Sequence, residues 1–239
     1  MKSSQSTSNI IIRPSNQRGH ADHGWLKSYH TFSFADFHDP KFTGFRSLRV
    51  INEDTVEPGR GFEAHQHRDM EIISYVLEGQ LEHKDSMGNG SLIKEGYFQR
   101  MSAGSGVRHS EFNASKKNSV HFLQIWIEPD TKGGEPSYQE LRTDDLNRFG
   151  LTLIASNKSE GDILMIRQDA RLYLGRLPGT ALVDYDIAFN RGIWIYMIRG
   201  RLKINGRTIQ NGDSLAVEEA NHINLRAGKD SMFLLFDLA

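Results

Sequence analysis

Residues 61–89, Gly61 to Asn89, read GFEAHQHRDMEIISYVLEGQLEHKDSMGN. Within them EIISYVLEG (Glu71 to Gly79) is a short β-branched and aromatic run closed by glycine, which reads as a strand. Met87-Gly88-Asn89-Gly90 then marks a tight hairpin, because Asn-Gly accepts the positive φ that such turns require. Ahead of both, His65 and His67 stand one residue apart. On a strand, positions i and i+2 point to the same face, so both imidazoles can reach one ion. The stretch predicts a β framework that carries a histidine pair.

The rest of the chain has the same texture. SLRVINED (Ser47 to Asp54), SVHFLQIWIE (Ser119 to Glu128), GIWIYMIRG (Gly192 to Gly200) and MFLLFDL (Met232 to Leu238) read as strands, and Ile204-Asn205-Gly206 as a second hairpin turn. Helical periodicity is weak. Its best candidate, SYQELRTDDLNRF (Ser137 to Phe149), lies inside the polar stretch Pro129 to Gly150, read as an interdomain linker. A faint internal repeat aligns IISYVLEGQL (Ile72 to Leu81) with IWIYMIRGRL (Ile193 to Leu202), matching Tyr, Gly and Leu at the same offsets. Each copy then reaches a glycine just before a strand, Gly96 in KEGYF and Gly212 in QNGDS. Repeated short strands with turn signals favour a duplicated barrel. The expected class is all-β, two packed jelly-roll β-barrels, with domains at 1–135 and 136–239.

Composition narrows the function classes. The 239 residues suffice for two barrels, and 38% hydrophobic with 25% charged residues suits a globular chain without long disorder. No apolar run approaches the roughly 20 residues needed to span a bilayer. The opening MKSSQSTSNI has no apolar signal-peptide core, and Met1 to Asn9 is read as a frayed polar tail. There are no cysteines, which removes disulfides, thiolate metal sites and a Cys nucleophile together and fits a reducing compartment. A cytoplasmic monomer without a membrane partner is expected. Net charge is −1, and the longest basic run is Lys116-Lys117, so no basic face for nucleic acid is readable.

Ten histidines make shared metal ligation the sharper question. One His-x-His pair is weak evidence, since roughly 0.4 such pairs arise by chance in a chain of this composition. His109 and Glu111 repeat the i, i+2 spacing just after the glycine-rich turn Ala103 to Gly106. Two same-face pairs on two antiparallel strands would supply three nitrogens and one carboxylate oxygen. That set leaves coordination positions open, as a redox-active or Lewis-acid metal needs if substrate is to bind.

The surroundings of these pairs resemble the two cupin motifs. Gly59, His65, His67, Glu71 and Gly79 follow the first, and Gly96, Gly104, His109 and Asn113 approximate the second. The departures are one extra residue before Gly79, Ser102 where the pattern has Pro, and a longer gap from Gly104 to His109. WLKSYHTFSFADF (Trp25 to Phe37), SLRVINED, Gly61 to Asn89 and MSAGSGVRHSEFN (Met101 to Asn113) resemble, more narrowly, the pirin family and its bacterial quercetin 2,3-dioxygenases. The resemblance is strong over residues 10–135 and general beyond. It implies a bicupin whose metal ligands fall on His65, His67, His109 and Glu111, and whose C-terminal barrel lacks metal. The second half agrees in holding only His222.

The resemblance implies O2-dependent ring opening of a flavonol or similar enol-bearing aromatic, with Fe(II) as the metal. A carboxylate that both ligates and faces the open coordination site can accept the proton of an incoming phenol, so Glu111 is the expected base. Ligand type alone leaves Mn, Co, Ni, Cu and Zn open. The competing reading is a non-catalytic, redox-responsive metal-binding regulator acting through protein partners; a sugar-binding cupin rests on the fold alone. Glu71 is expected to support the site or a turn rather than to ligate. The aromatics of HTFSFADF and His38 are expected to pack the barrel, with a pocket role open for Phe34 or Asp36. His20, His23, His30, His83, His121 and His222 are expected at the surface or in structural hydrogen bonds.

Overall fold

The computed structural model describes residues 9–143, 149–159 and 161–239, so of the expected polar tail only Asn9 lies within the described residues. The strands are β1 (Asn9–Arg13), β2 (Gly19–Asp22), β3 (Leu26–His30), β4 (Leu48–Val56), β5 (Gly61–His67), β6 (Glu71–Glu78), β7 (Gln80–Asp85), β8 (Gly90–Lys94), β9 (Phe98–Ser102), β10 (Val107–Asn113), β11 (Val120–Ile127) and β12 (Ser137–Leu141). They continue as β13 (Gly150–Ser156), β14 (Leu164–Met165), β15 (Ala170–Leu177), β16 (Leu182–Asp186), β17 (Gly192–Ile204), β18 (Arg207–Gln210), β19 (Ser214–Glu218) and β20 (His222–Leu238). No helix of the described residues is long and apolar enough to cross a membrane.

Two compact units divide these strands. The N-terminal unit comprises the described parts of Arg18–Asn147 and Ser156–Gln168; the other takes those of Met1–Gln17, Arg148–Ala155 and Asp169–Ala239. In the N-terminal unit a seven-stranded sheet, β12-β9-β6-β11-β4-β3-β2, faces a four-stranded one, β5-β10-β7-β8. Alternating apolar positions of both sheets meet between them. Val56, Val76, Val120 and Phe122 of the first pack on Leu81 and Ile93 of the second, all essentially buried. In the C-terminal unit β1-β19-β17-β20-β15-β13 run side by side, with β16 and β18 pairing to β20 and β17. Its core is a cluster that includes Ile193, Ile195, Leu215, Leu225 and Phe233.

The internal repeat is realised bond for bond. Gly96 N–H donates to Val76 O at 2.8 Å, and Gly212 N–H donates to Met197 O, the aligned position, also at 2.8 Å. Tyr75 and Tyr196 are both buried, and Gly79 and Gly200 both take positive φ, 84° and 100°. The two predicted hairpin turns also form, with positive φ at Gly88, Asn205 and Gly206. The expected helix does not start at Ser137. Ser137–Leu141 is instead β12, paired in register with β9 from Ser137↔Ser102 to Leu141↔Phe98. The buried Arg100 guanidinium holds that edge, donating to Ser137 Oγ at 2.6 Å and to Gln139 Oε1. Sheet pairing outweighs a weak local helix preference. The remainder of that expected helix, 144–148, lies outside the described residues.

Gly200 provides a test of how tightly the repeated hairpin is built. A Cβ there would overlap Asp230 O and come within 2.7 Å of Ser231 Cα, whereas at Gly88, φ 91°, it would meet nothing. Gly88→Ala is expected to cost about 1 kcal/mol from left-handed backbone strain alone. Gly200→Ala should cost ~2 kcal/mol or more, read from urea unfolding midpoints.

Candidate metal centre

Strands β5 and β10 of the N-terminal unit bring the histidines together. They pair antiparallel with His65 directly opposite His109, and His67 lies on the same face of β5 as His65. His65 Nδ1–H donates to its neighbour's carbonyl, Glu63 O, at 2.7 Å. That fixes the tautomer and leaves the Nε2 lone pair free to ligate. His65 Nε2 and His109 Nε2 are 3.1 Å apart. Two nitrogens each ~2.1 Å from one ion at a right angle would be about 3 Å apart, so this spacing fits a shared metal. The ligand atoms of His65, His67 and His109 all lie within 4.8 Å of one another. Burial first, then neighbouring imidazoles, depress His67 to about 4 and His109 further, so both are neutral at physiological pH. Neutral imidazole is the form a metal takes. The residues present fit a divalent transition metal.

Glu111 points the same way along β10 but is held differently. Its Oε1 accepts from Ser74 Oγ at 3.0 Å and Gln99 Nε2 at 2.7 Å, and its Oε2 accepts from Gln124 Nε2. The carboxylate groups within ligand distance of His109 and His83 rather than of His65 and His67. Burial pushes its pKa up to about 7, with Asp54 raising it further and the three donors opposing.

Those donors belong to a single row. Reading across the seven-stranded sheet, Glu140, Gln99, Ser74, Gln124, Asn52 and His30 are successive register partners on β12, β9, β6, β11, β4 and β3. Direct cross-strand partners share a face, so a polar band crosses the sheet. A cavity of about 840 Å³ opens above it, within the range of small-molecule sites. His65, His67, His109 and Glu111 border it, as do Phe34 and Asp36, the positions left open by the sequence. One wall is a chain of rings. His67 meets Trp126 at 5.0 Å, Trp126 meets Phe34 at 5.5 Å, and Phe34 meets His30 at 5.1 Å.

Several assignments sharpen. Glu71 is buried and accepts from Ser102 Oγ at 2.6 Å, a supporting contact as expected. His222 is exposed and paired with Asp184 and Asp186. His30 and His83 are not surface residues. His83 is buried opposite Glu111 on β7, bonded to Asp85 and stacked on Tyr138 at 4.7 Å. The sequence signal for it was present, since Leu81, His83 and Asp85 alternate on one face of QLEHKD. For Ser74 and Gln124 the signal was a polar residue interrupting an apolar strand, whereas Gln99 lies beside Arg100 in the mixed strand FQRMS.

Fold and site define a double cupin, and the chain belongs to the pirin family. Residues 11–127 match Pirin, and residues 153–238 match the quercetinase C-terminal cupin domain. A quercetin 2,3-dioxygenase of Escherichia coli K12 is 46% identical over 229 residues, 96% of this chain and 98% of that one. A putative quercetin 2,3-dioxygenase of Pseudomonas aeruginosa is 38% identical over 96% of this chain and all of its own length. The crystal structure of YhhW from Escherichia coli in complex with nickel(II) superposes with a TM-score of 0.93 at 45% identity, covering 96% of this chain and 99% of that one.

A buried carboxyl on the cavity wall gives a pH test. Burial raises Asp54 from 3.8 to about 7, partly opposed by its hydrogen bond from Ser28. A carboxyl whose pKa is higher folded than unfolded binds its proton more tightly in the folded state. Its stabilising contribution is therefore present in full below about pH 4 and is lost as pH rises through about 7. Relative to wild type, the thermal midpoint of Asp54→Asn should rise between about pH 4 and 7 and level off above that; parallel curves would contradict the assignment.

Proposed function

We propose that this chain is a metal-dependent dioxygenase that opens a ring of quercetin or a related flavonol with O2. The observation that carries the reading is the convergence of three imidazoles at the edge of an aromatic-walled cavity, in a chain 46% identical to a named quercetin 2,3-dioxygenase. The ligand set we infer is His65, His67, His109 and Glu111, with Fe(II) as the metal. Manganese, cobalt, nickel, copper and zinc suit the same donors. Bound there, the metal would supply Lewis acidity and redox chemistry toward O2.

The protein's own residues do the rest. Trp126 and Phe34 offer ring edges and faces to a planar substrate, and the cavity shields the reacting oxygen from bulk water. Glu111 is the base, accepting the proton of the substrate's enol hydroxyl. Ser74, Gln99 and Gln124 hold its carboxylate and compensate its burial. The C-terminal barrel carries no metal ligands, and the enzyme works as a cytoplasmic monomer.

Elemental analysis is expected to find about one transition-metal ion per chain, lost in a folded His65→Ala/His67→Ala variant and untouched by His222→Ala. Two ions per chain, or metal retained in the double variant, would remove the assignment. Glu111→Gln keeps one oxygen ligand and the side-chain shape but removes the basicity, and Gln124 can turn its amide so that its oxygen accepts from the new NH2. O2 uptake with quercetin at matched metal occupancy should fall by about 10²–10⁴-fold. Equal rates would exclude Glu111 as the base, and no uptake by wild type would exclude the dioxygenase reading.

A further inference from the structure

The cavity has a second polar end that the proposed chemistry leaves unused. It is built on β3 and β4, where Ser28 is the register partner of Asp54 and His30 that of Asn52. Strands lie about 4.8 Å apart, so His30, two strands beyond Gln124 in the polar row, stands ~10 Å from the residues beneath Glu111. All four side chains are nearly buried, none more than 5% exposed, and all four border the cavity.

The hydrogen bonds at this end run in one direction. Ser28 Oγ–H donates to Asp54 Oδ1. His30 is held neutral, since burial depresses its pKa. Its Nδ1 lies 2.9 Å from Asn52 Oδ1 and 3.3 Å from Ser28 Oγ. With Ser28 donating to Asp54, the consistent tautomer has Nδ1–H donating to both oxygens, which leaves Nε2 as a bare acceptor. Asp54 Oδ2 receives no hydrogen bond from the described residues, and neither does His30 Nε2. Both residues border the cavity. Two acceptors aimed into an apolar slot call for a ligand that brings donors. Burial raises Asp54 toward neutral pH, the electrostatic sign of a carboxyl short of donors.

We propose that Ser28, His30, Asn52 and Asp54 form a second recognition subsite, at which Asp54 Oδ2 and His30 Nε2 accept hydrogen bonds from phenolic hydroxyls on the end of an aromatic ligand remote from the metal. The ring chain His67–Trp126–Phe34–His30 joins the two ends, so a planar ligand can lie along it and reach both. This deepens the flavonol reading and rests on it. It selects polyhydroxylated over singly hydroxylated substrates, with no role in the chemical step.

Binding in the absence of turnover tests it. Metal-loaded full-length protein is titrated under argon with quercetin and with 3-hydroxyflavone, which keeps the enol but lacks the other hydroxyls. Quenching of tryptophan fluorescence is followed, since Trp25 and Trp126 border the cavity. Wild type should prefer quercetin by about 10–100-fold, the size of a hydrogen bond to a charged or partly charged group. In Asp54→Ala, and independently in His30→Phe, the quercetin affinity should fall toward that of 3-hydroxyflavone while the latter stays within about twofold. Using two variants and two ligands as a cycle removes effects of altered packing. A preference that survives both variants, or equal affinities in wild type, overturns the subsite. Wild type that shows the expected preference but consumes no O2 on exposure to air would uphold the subsite and refute the dioxygenase reading instead. Turnover by wild type with unchanged affinities in both variants would do the reverse.

Discussion

A carboxylate cannot sit inside an apolar β-barrel without donors, and meeting that requirement at Glu111 organises the N-terminal unit. Burial of an unpaired charge costs several kcal/mol or more, so each lone pair needs a partner. Here the partners come from three neighbouring strands, Ser74 on β6, Gln99 on β9 and Gln124 on β11. They can meet one carboxylate only because those strands pair with Ser74 opposite both Gln99 and Gln124. A slip of one residue in either pairing would turn a donor to the outer face and leave the charge exposed to hydrocarbon. The site thus specifies register as much as the register positions the site.

The C-terminal unit shows what the same frame becomes without that requirement. Ile195 aligns with Ser74 in the repeat, and its register partners are Leu215 and Leu235, where the N-terminal unit has Gln99 and Gln124. Tyr173 follows next to Leu235, where Asn52 follows Gln124. Ile195, Leu215 and Leu235 are fully buried in the core cluster. Aliphatic side chains fill the space that the polar band and its cavity occupy in the N-terminal unit. The hairpin hydrogen bonds and positive-φ glycines persist in both units, while this row of side chains differs.

The metal cluster and the cavity wall are likewise one construction. His67 is both a candidate ligand and the first ring of the aromatic wall, in contact with Trp126. A substrate lying on Trp126 and Phe34 is therefore in register with the imidazoles by construction.

Local chemistry made much of this legible in the chain. The period-2 spacing of His65 with His67, and of His109 with Glu111, predicts shared faces because a strand alternates its side chains. Asn205-Gly206 and the aligned Gly79 and Gly200 marked turns because residues tolerant of positive φ fit there, whereas at the first hairpin the positive φ falls on Gly88 rather than on Asn89-Gly90. Three things were decided only in three dimensions. Ser137–Leu141 became a strand because Arg100 and β9 supply partners that no helix preference could match. Glu111 gathered its donors from strands 37 and 12 residues before it and 13 after it, and such distant pairings leave no spacing in the sequence. His83, His30 and Asp54 are ordinary polar residues in the chain. Pairing, closure of the barrel and the loss of water around them bury all three, and His30 and Asp54 become acceptors on a cavity wall.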